Sequence, residues 1–463
     1  MPEMRAVTLE GSDKTMSSDV VRDFEAGLEG KVIHPGETSF DEARKIFNGM
    51  VDRRPAAIVQ CATDADVVRT VGFASSYNLL TSIRGGGHST PGKCISDGGL
   101  MIDFSKMKGI NVDQANRVGI AQPGLRLGEF DPATQAFGLA TTMGMIANTG
   151  IAGLTLGGGL GWLNGRFGLA CDNLLAAQVV TADGKLVRAS LTENEDLLWA
   201  LKGGSGNFGV VTSFEYQLHE VGTMLGGMVV HPLSSARSVL RMFDEFSQGC
   251  PDELSTAAAC VTGPDGGRVI AIIVGYSGPI DAGEKVIAPL RKFGPPLADT
   301  IQPMSYVALQ SMLDPGFPPG RLHYWKSNYT SSLSDGFIDV YEQYLASIPS
   351  PMSGVLLQQK HGAAIRVDPS ATAYAHRSYQ YDFVIASTWE NPSESAKNIE
   401  WTRDFWDAQQ PYVDRAVYVN HLEDEGQDRV KAAYGKNYDR LAEIKLKYDP
   451  ANFFRLNQNI RPA

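Results

Sequence analysis

Short apolar runs separated by turn residues dominate the first half of the chain. Residues 56–60, 79–83 and 99–104 each read as a buried strand. Between the first two, Thr63-Asp64-Ala65-Asp66 has the form of a capped helix start. Val67, Val68, Val71 and Ala74 then recur near helical spacing, which predicts a helix to about Tyr77. Ser39-Phe40-Asp41-Glu42 has the same capping form and predicts a helix through Phe47. Residues 117–121 make a further strand closed by Pro123-Gly124, and residues 174–181 and 185–189, joined by Ala182-Asp183-Gly184, form a predicted hairpin.

A helix over 195–202 stops at Gly203, and the next six residues, Gly204-Ser205-Gly206-Asn207-Phe208-Gly209, spell G-x-G-x-x-G. A dinucleotide fingerprint requires a strand before that loop and a helix after it. Here the order is reversed: a helix precedes, and a strand follows with Phe214, Tyr216 and Leu218 on one face and Ser213, Glu215 and Gln217 on the other. The motif is therefore set aside. From about His219 aromatics and prolines increase, and residues 227–230, 269–274, 354–358 and 381–387 read as strands with helices between, an antiparallel sheet with covering helices. A helical stretch over 428–448, interrupted at Gly435 and stopped by Asp449-Pro450, leads into an extended, amide-rich tail. The pattern is that of an α+β protein with a first domain over 1–218, an antiparallel-sheet domain over 219–424, and a final segment, 425–463, returning to the first domain.

Composition narrows the class. A net charge of −11 argues against nucleic acid or an anionic membrane surface as partner and favours a small molecule. The five cysteines (Cys61, Cys94, Cys171, Cys250, Cys260) are scattered, with no C-x-x-C spacing, so neither a disulfide framework nor a metal site is indicated. The first 22 residues carry charges throughout and no apolar stretch is long enough for a bilayer, so the expected setting is reduced and cytoplasmic.

The chemistry gathers at two glycine clusters. Arg84-Gly85-Gly86-Gly87-His88-Ser89 follows a strand, and its bare backbone would form an anion-binding nest with Arg84 at the edge and the imidazole of His88 beside it. The stretch from Thr149 to Trp162 interleaves Gly150, Gly153, Gly157, Gly158, Gly159 and Gly161 with apolar residues, as backbone lying against a large planar group would, or as tight packing of two elements would. In the tail, Asn457, Gln458 and Asn459 offer donors and acceptors suited to a heterocycle edge, or to a bonded terminal cap.

Together these motifs, with Gly168-Leu169, Cys171-Asp172-Asn173-Leu174, the 206–212 stretch and Tyr448-Asp449-Pro450, resemble the FAD-linked oxidases of the p-cresol methylhydroxylase fold, in the berberine-bridge-enzyme-like and 6-hydroxynicotine oxidase branch. The resemblance covers nearly the whole chain. It implies a two-domain fold and FAD whose diphosphate is held by Arg84, Gly85, Gly86, Gly87, His88 and Ser89, with His88 bonded to the flavin 8-methyl carbon. It places Thr149, Gly150, Gly153, Gly158, Gly159 and Val211 on the adenine and diphosphate side, and Tyr418, Asn457 and Asn459 at the isoalloxazine. Many relatives attach the ring again through a cysteine just before the second glycine loop; Met145-Ile146-Ala147-Asn148 stands there, so a single link is expected. The implied reaction passes a hydride from a C–OH or C–N centre of a natural product, amine or sugar to flavin, with O2 reoxidation to H2O2.

Relatives place a Glu or a Tyr–Asp pair over the ring, whereas the strand expected to carry the acid ends in Gln358-Gln359-Lys360-His361. Glutamine takes no proton. The remaining candidates are Tyr418, preferred, and His421, Tyr324 and Lys326, the last as a cation lowering a phenol pKa. Tyr324, Trp325, Tyr329 and Trp389 are candidate cleft aromatics. Two other readings stand beside the oxidase: a dehydrogenase or tailoring oxidase or cyclase with another acceptor, and a flavin-binding protein without turnover. Neither substrate nor oligomeric state is legible in the pattern.

Overall fold

The computed structural model describes residues 3–463. Its amino-terminal part is built on a strand–helix–strand unit: Ala57–Gln60 and Thr81–Arg84 flank Leu100–Asp103, both parallel to it, and Lys31–Ile33 is antiparallel on the outer edge. The connecting helix, Asp64–Ser76, begins with the expected reciprocal cap between Thr63 and Asp66. The other expected cap does not form. Ser39 already has helical angles and makes no side-chain bond, and the helix is one turn, Phe40–Ala43. Asp41 and Glu42 pair with Arg44 and Lys45 instead, and the chain is drawn away at Phe47, whose N–H donates to Gly87 O (2.9 Å).

A five-stranded antiparallel sheet carries the predicted hairpin, Leu174–Val180 with Leu186–Ser190. Beside it lies Val210–Gln217, which buries Phe214 and Tyr216 on one face, with Leu218 just beyond its end. A helix, Glu195–Leu201, does precede the G-x-G-x-x-G loop, and a strand does follow it.

An eight-stranded antiparallel sheet dominates the next part. The four predicted strands are present in longer form as Met224–Pro232, Arg268–Tyr276, Gly354–Gln359 and Tyr381–Trp389. The other four are outside the predicted set: Leu254–Thr262, the edge strand Leu322–Thr330, and the short Ala298–Asp299 and Gln302–Met304. Alternation along the strands divides the sheet into two faces. Val355, Leu357, Phe383 and Ile385 join a core under the helices Ala236–Gln248, Asp335–Leu345 and Ser395–Gln409. Leu356, Gln358, Val384 and Ala386 look the other way, toward the glycine loops. No helix among the described residues is long and apolar enough to cross a membrane.

The chain returns through Gln427–Tyr434 and Tyr438–Tyr448, broken where Gly435 turns with φ +53°. A fully buried ion pair then directs the tail. Lys445 Nζ lies 2.6 Å from Asp449 and donates to Asn207 O and Phe454 O, while Asp449 accepts from the N–H groups of Phe453 and Phe454. Removing one partner strands the other charge in the core. Lys445→Met is accordingly expected to lower unfolding free energy by about 3–5 kcal/mol, read from the denaturant midpoint against wild type.

Candidate active site

Between the glycine loops and the inner face of the large sheet lies a cavity of about 340 Å³. One wall is mostly main chain: Gly85, Gly86, Gly87, His88 and Ser89, then Thr149, Gly150 and Gly153, with Gly206 and Val211 beside them. Gly86 and Gly150 touch backbone to backbone. A Cβ on Gly86 would lie 2.4 Å from Gly150 Cα, and one on Gly150 would lie 2.4 Å from Gly86 N, so a side chain fits at neither. Gly87 turns with φ +74°, a conformation that favours glycine. Among the described residues no backbone carbonyl accepts from the N–H groups of Gly86, Gly87, His88 or Ser89, which leaves them for an anion. A Cβ on Gly153 or Gly206 would meet nothing within 4 Å.

Several expected wall residues serve elsewhere. Arg84 donates to Asp103 (2.9 Å), its register partner on the next strand, and to Lys45 O (2.9 Å), bracing the base of the loop. Gly158, at φ +133°, lies under two rings: its Cβ would come within 2.9 Å of Tyr374 and 3.2 Å of Tyr418. Gly159 packs on Ala170, 2.3 Å from where its Cβ would be. For these two, tight packing is the reading that holds. Asn459 is also off the wall, its carbonyl accepting from Gln427 Nε2 (3.3 Å), while Asn457 and Gln458 line it.

The imidazole of His88 stacks on Phe47 at 3.9 Å and is half-buried, with Nε2 covered and without a partner. Burial pushes its pKa down to about 4, so the ring is neutral at pH 7. An unpartnered nitrogen beside a cradle that rejects side chains fits the flavin that the sequence implies. Met145 and Ile146 line the cavity ahead of the second glycine loop. Cys94 also lines it, on the loop after His88, whereas Cys171 is buried away from it against Asp172.

Opposite, the edge strand presents Trp325 to the cavity and turns its two neighbours away. Tyr324 accepts from Arg403 Nε (3.1 Å), and Lys326 pairs with Glu425 (3.0 Å) over the Trp406 ring. Neither reaches the wall, and Lys326 is not the cation beside Tyr418 that was expected. Trp389 likewise points out of the cavity, donating to Ser395 (3.0 Å), and Tyr329 is buried deeper, 2.5 Å from the Tyr374 hydroxyl. Tyr418 does line the cavity; its oxygen accepts from Gly159 N (2.7 Å) and Asn420 Nδ2 (2.9 Å). Burial raises its pKa and the charge of Asp382 adds to the rise, so the phenol holds its proton.

Asp382 was missed. It is completely buried on the same sheet face as Val384 and Ala386, paired in register with Gln358 on one side and Tyr329 on the other. Its Oδ2 lies 2.8 Å from Nδ1 of His421, out of line for a hydrogen bond, and His421 lines the cavity with its ring edge-on to Tyr418 at 5.0 Å. A buried acid thus stands one strand over from Gln358. A lone carboxylate inside the apolar run Tyr381-Asp382-Phe383-Val384-Ile385-Ala386 was the available signal, because such groups are seldom fully buried without a partner.

The model of an FAD binding domain matches residues 55–190 and that of "berberine and berberine like" matches 417–461. An FAD-linked oxidoreductase of Dictyostelium discoideum is 31% identical, covering 98% of this chain and 99% of its own length. The (R)-6-hydroxynicotine oxidase of Paenarthrobacter nicotinovorans is 30% identical, covering 94% and 97%. The crystal structure of 6-hydroxy-D-nicotine oxidase from Arthrobacter nicotinovorans superposes with a TM-score of 0.86 at 29% identity, over 94% of this chain and 98% of that one. The protein is an FAD-dependent oxidoreductase, and within that class the chain belongs to the berberine-bridge-enzyme-like FAD-linked oxidases.

The contact between the two loops sets a test of cofactor binding. Gly86→Ala is expected to cut FAD occupancy by roughly tenfold or more, since the added methyl must push the loops apart. Flavin absorbance per chain, read beside an unchanged far-UV circular dichroism spectrum, checks it.

Proposed function

We propose that this protein is an oxidase holding FAD covalently through His88 alone, and that it takes a hydride from a carbon bearing a hydroxyl or amine and passes the electrons to O2, giving H2O2. The observation that carries this reading is the unpartnered Nε2 of a neutral imidazole set in a backbone cradle, with a His421–Asp382 pair across the same cavity. The flavin supplies the electron-pair acceptor; the chain supplies placement and proton transfer. His421 is the better base than Tyr418, because the phenol keeps its proton whereas the imidazole has the Asp382 carboxylate to stabilise the cation it becomes. Tyr418 then acts as a donor to the substrate heteroatom. Gln358, its amide nitrogen bonded to Leu160 O (3.2 Å), leaves its carbonyl oxygen as an acceptor in the cavity.

The wall around these groups favours one substrate class. Phe317, Trp325, Leu356, Val384 and Ala386 are apolar or aromatic, and a sugar ring would leave hydroxyls unpaired against them at about 1–3 kcal/mol each. A flat, apolar alcohol or amine suits the wall better. Among the relatives, the 6-hydroxynicotine oxidase is named for such a donor and a xylooligosaccharide oxidase of Thermothelomyces thermophilus, 28% identical over 90% of this chain, for the other kind.

Three outcomes are expected. In acid-denatured wild type the yellow colour stays with the polypeptide, and in His88→Ala it is released to the supernatant. Because the folded-state pKa of His88 is depressed to about 4, its neutral form persists well below pH 6.5; the rate of covalent attachment to added FAD should stay level down to about pH 5 and fall only near pH 4. Asp382→Asn should lower the rate of flavin bleaching by an aryl alcohol or amine by about 10²–10⁴-fold at unchanged FAD content. No bleaching and no peroxide with any donor, in a protein that binds FAD, would defeat the oxidase reading.

A further inference from the structure

The segment 47–49 sits between the His88 loop and the edge strand of the large sheet and is tied to both. Phe47 N donates to Gly87 O (2.9 Å), Phe47 O accepts from Gly320 N (2.9 Å), and Gly49 N donates to Arg321 O (2.7 Å). Asn48, buried at 3% exposure, uses its full hydrogen-bonding capacity. Its Nδ2 donates to Thr90 O (2.7 Å) and His323 O (2.9 Å), and its Oδ1 accepts from His323 N and Met50 N (3.0 Å each). The rings form a column: Phe47 is sandwiched between His88, at 3.9 Å and 19°, and His323, at 4.3 Å and 15°. At the far end His323 Nδ1 lies 3.0 Å from Thr388 Oγ1 on the neighbouring strand.

One end of the column is thus bonded into the large sheet. Its other end is an imidazole whose Nε2 makes no hydrogen bond that would orient it. We propose that Phe47 is a positioning residue for cofactor attachment: by stacking between His323 and His88 it transfers the position of the sheet to the His88 imidazole. This rests on the reading of His88 as the attachment point. Attachment forms one N–C bond and breaks one C–H bond of the flavin 8-methyl group and the imidazole N–H. The two electrons and two protons stay on the ring until O2 takes them as H2O2. Attachment therefore waits on docking of the sheet against the glycine loops, while reversible FAD uptake by the backbone cradle does not.

The experiment adds FAD to flavin-free protein and follows two quantities separately: flavin bound, by fluorescence quenching, and flavin fastened, by intact-protein mass and acid-stable absorbance. Phe47→Leu removes the aromatic face and keeps most of the volume. It is expected to bind FAD within about twofold of wild type and to fasten it about tenfold more slowly or worse, as a misplaced reacting group does. Phe47→Tyr restores the column and should recover the rate, and Asn48→Leu should slow fastening as Phe47→Leu does. If Phe47→Leu fastens FAD at the wild-type rate, or loses reversible uptake in the same proportion, the column is ordinary packing and the proposal fails. If wild type fastens no flavin at all, the assignment of His88 fails first, and the two failures are told apart by that control.

Discussion

The constraint on which the structure turns is a contact between two stretches of main chain. Gly86 lies at the start of the loop that leaves the four-stranded sheet, Gly150 opens the second glycine cluster, and their backbones meet at distances that exclude any Cβ. That approach makes a wall of N–H groups rather than of side chains, which is what a diphosphate and a flat ring require. The Arg84–Asp103 pair below, joining register partners on parallel strands, holds the loop in place without entering the wall. Charge is thus spent on geometry, and the backbone faces the ligand.

The opposite wall obeys a different rule, the period-two alternation of a sheet covered on both faces. Trp325, Leu356, Gln358, Val384 and Ala386 face the cavity because each is one residue away from a neighbour that faces the helices. The same rule brings Asp382 to His421 from the strand beside Gln358. The glycine cradle and the wall that carries Asp382 therefore come from different sheets, and segment 47–49 links them.

What could be read beforehand was what short-range physics decides. The capped helix at Thr63, the hairpin at 174–190 and the rejection of the G-x-G-x-x-G loop depended on a few adjacent residues, and all three agree with the structure. The two long strands missing from the prediction have a physical reason: Leu254–Thr262 is mostly small residues, and Leu322–Thr330 mixes His, Lys, Ser and Asn with aromatics, so neither shows an apolar period. Without the second strand, Tyr324 and Lys326 were indistinguishable in orientation from Trp325. The glycines from 150 to 159 posed the same difficulty in another form, since nothing local tells Gly150, against a loop, from Gly158, under two tyrosine rings.

The G-x-G-x-x-G loop has a use after all. Asn207 donates to Gln458 O and accepts from Ile460 N, and Lys445 fixes Phe454 to the same loop. The cavity wall accordingly combines residues as far apart as Thr81 and Gln458. During synthesis the early glycine nest leaves the ribosome long before the segment that closes it, so the chain must hold an incomplete cradle through most of translation. The complete cradle, Asn457 and Gln458 included, therefore exists only once the tail has come into place.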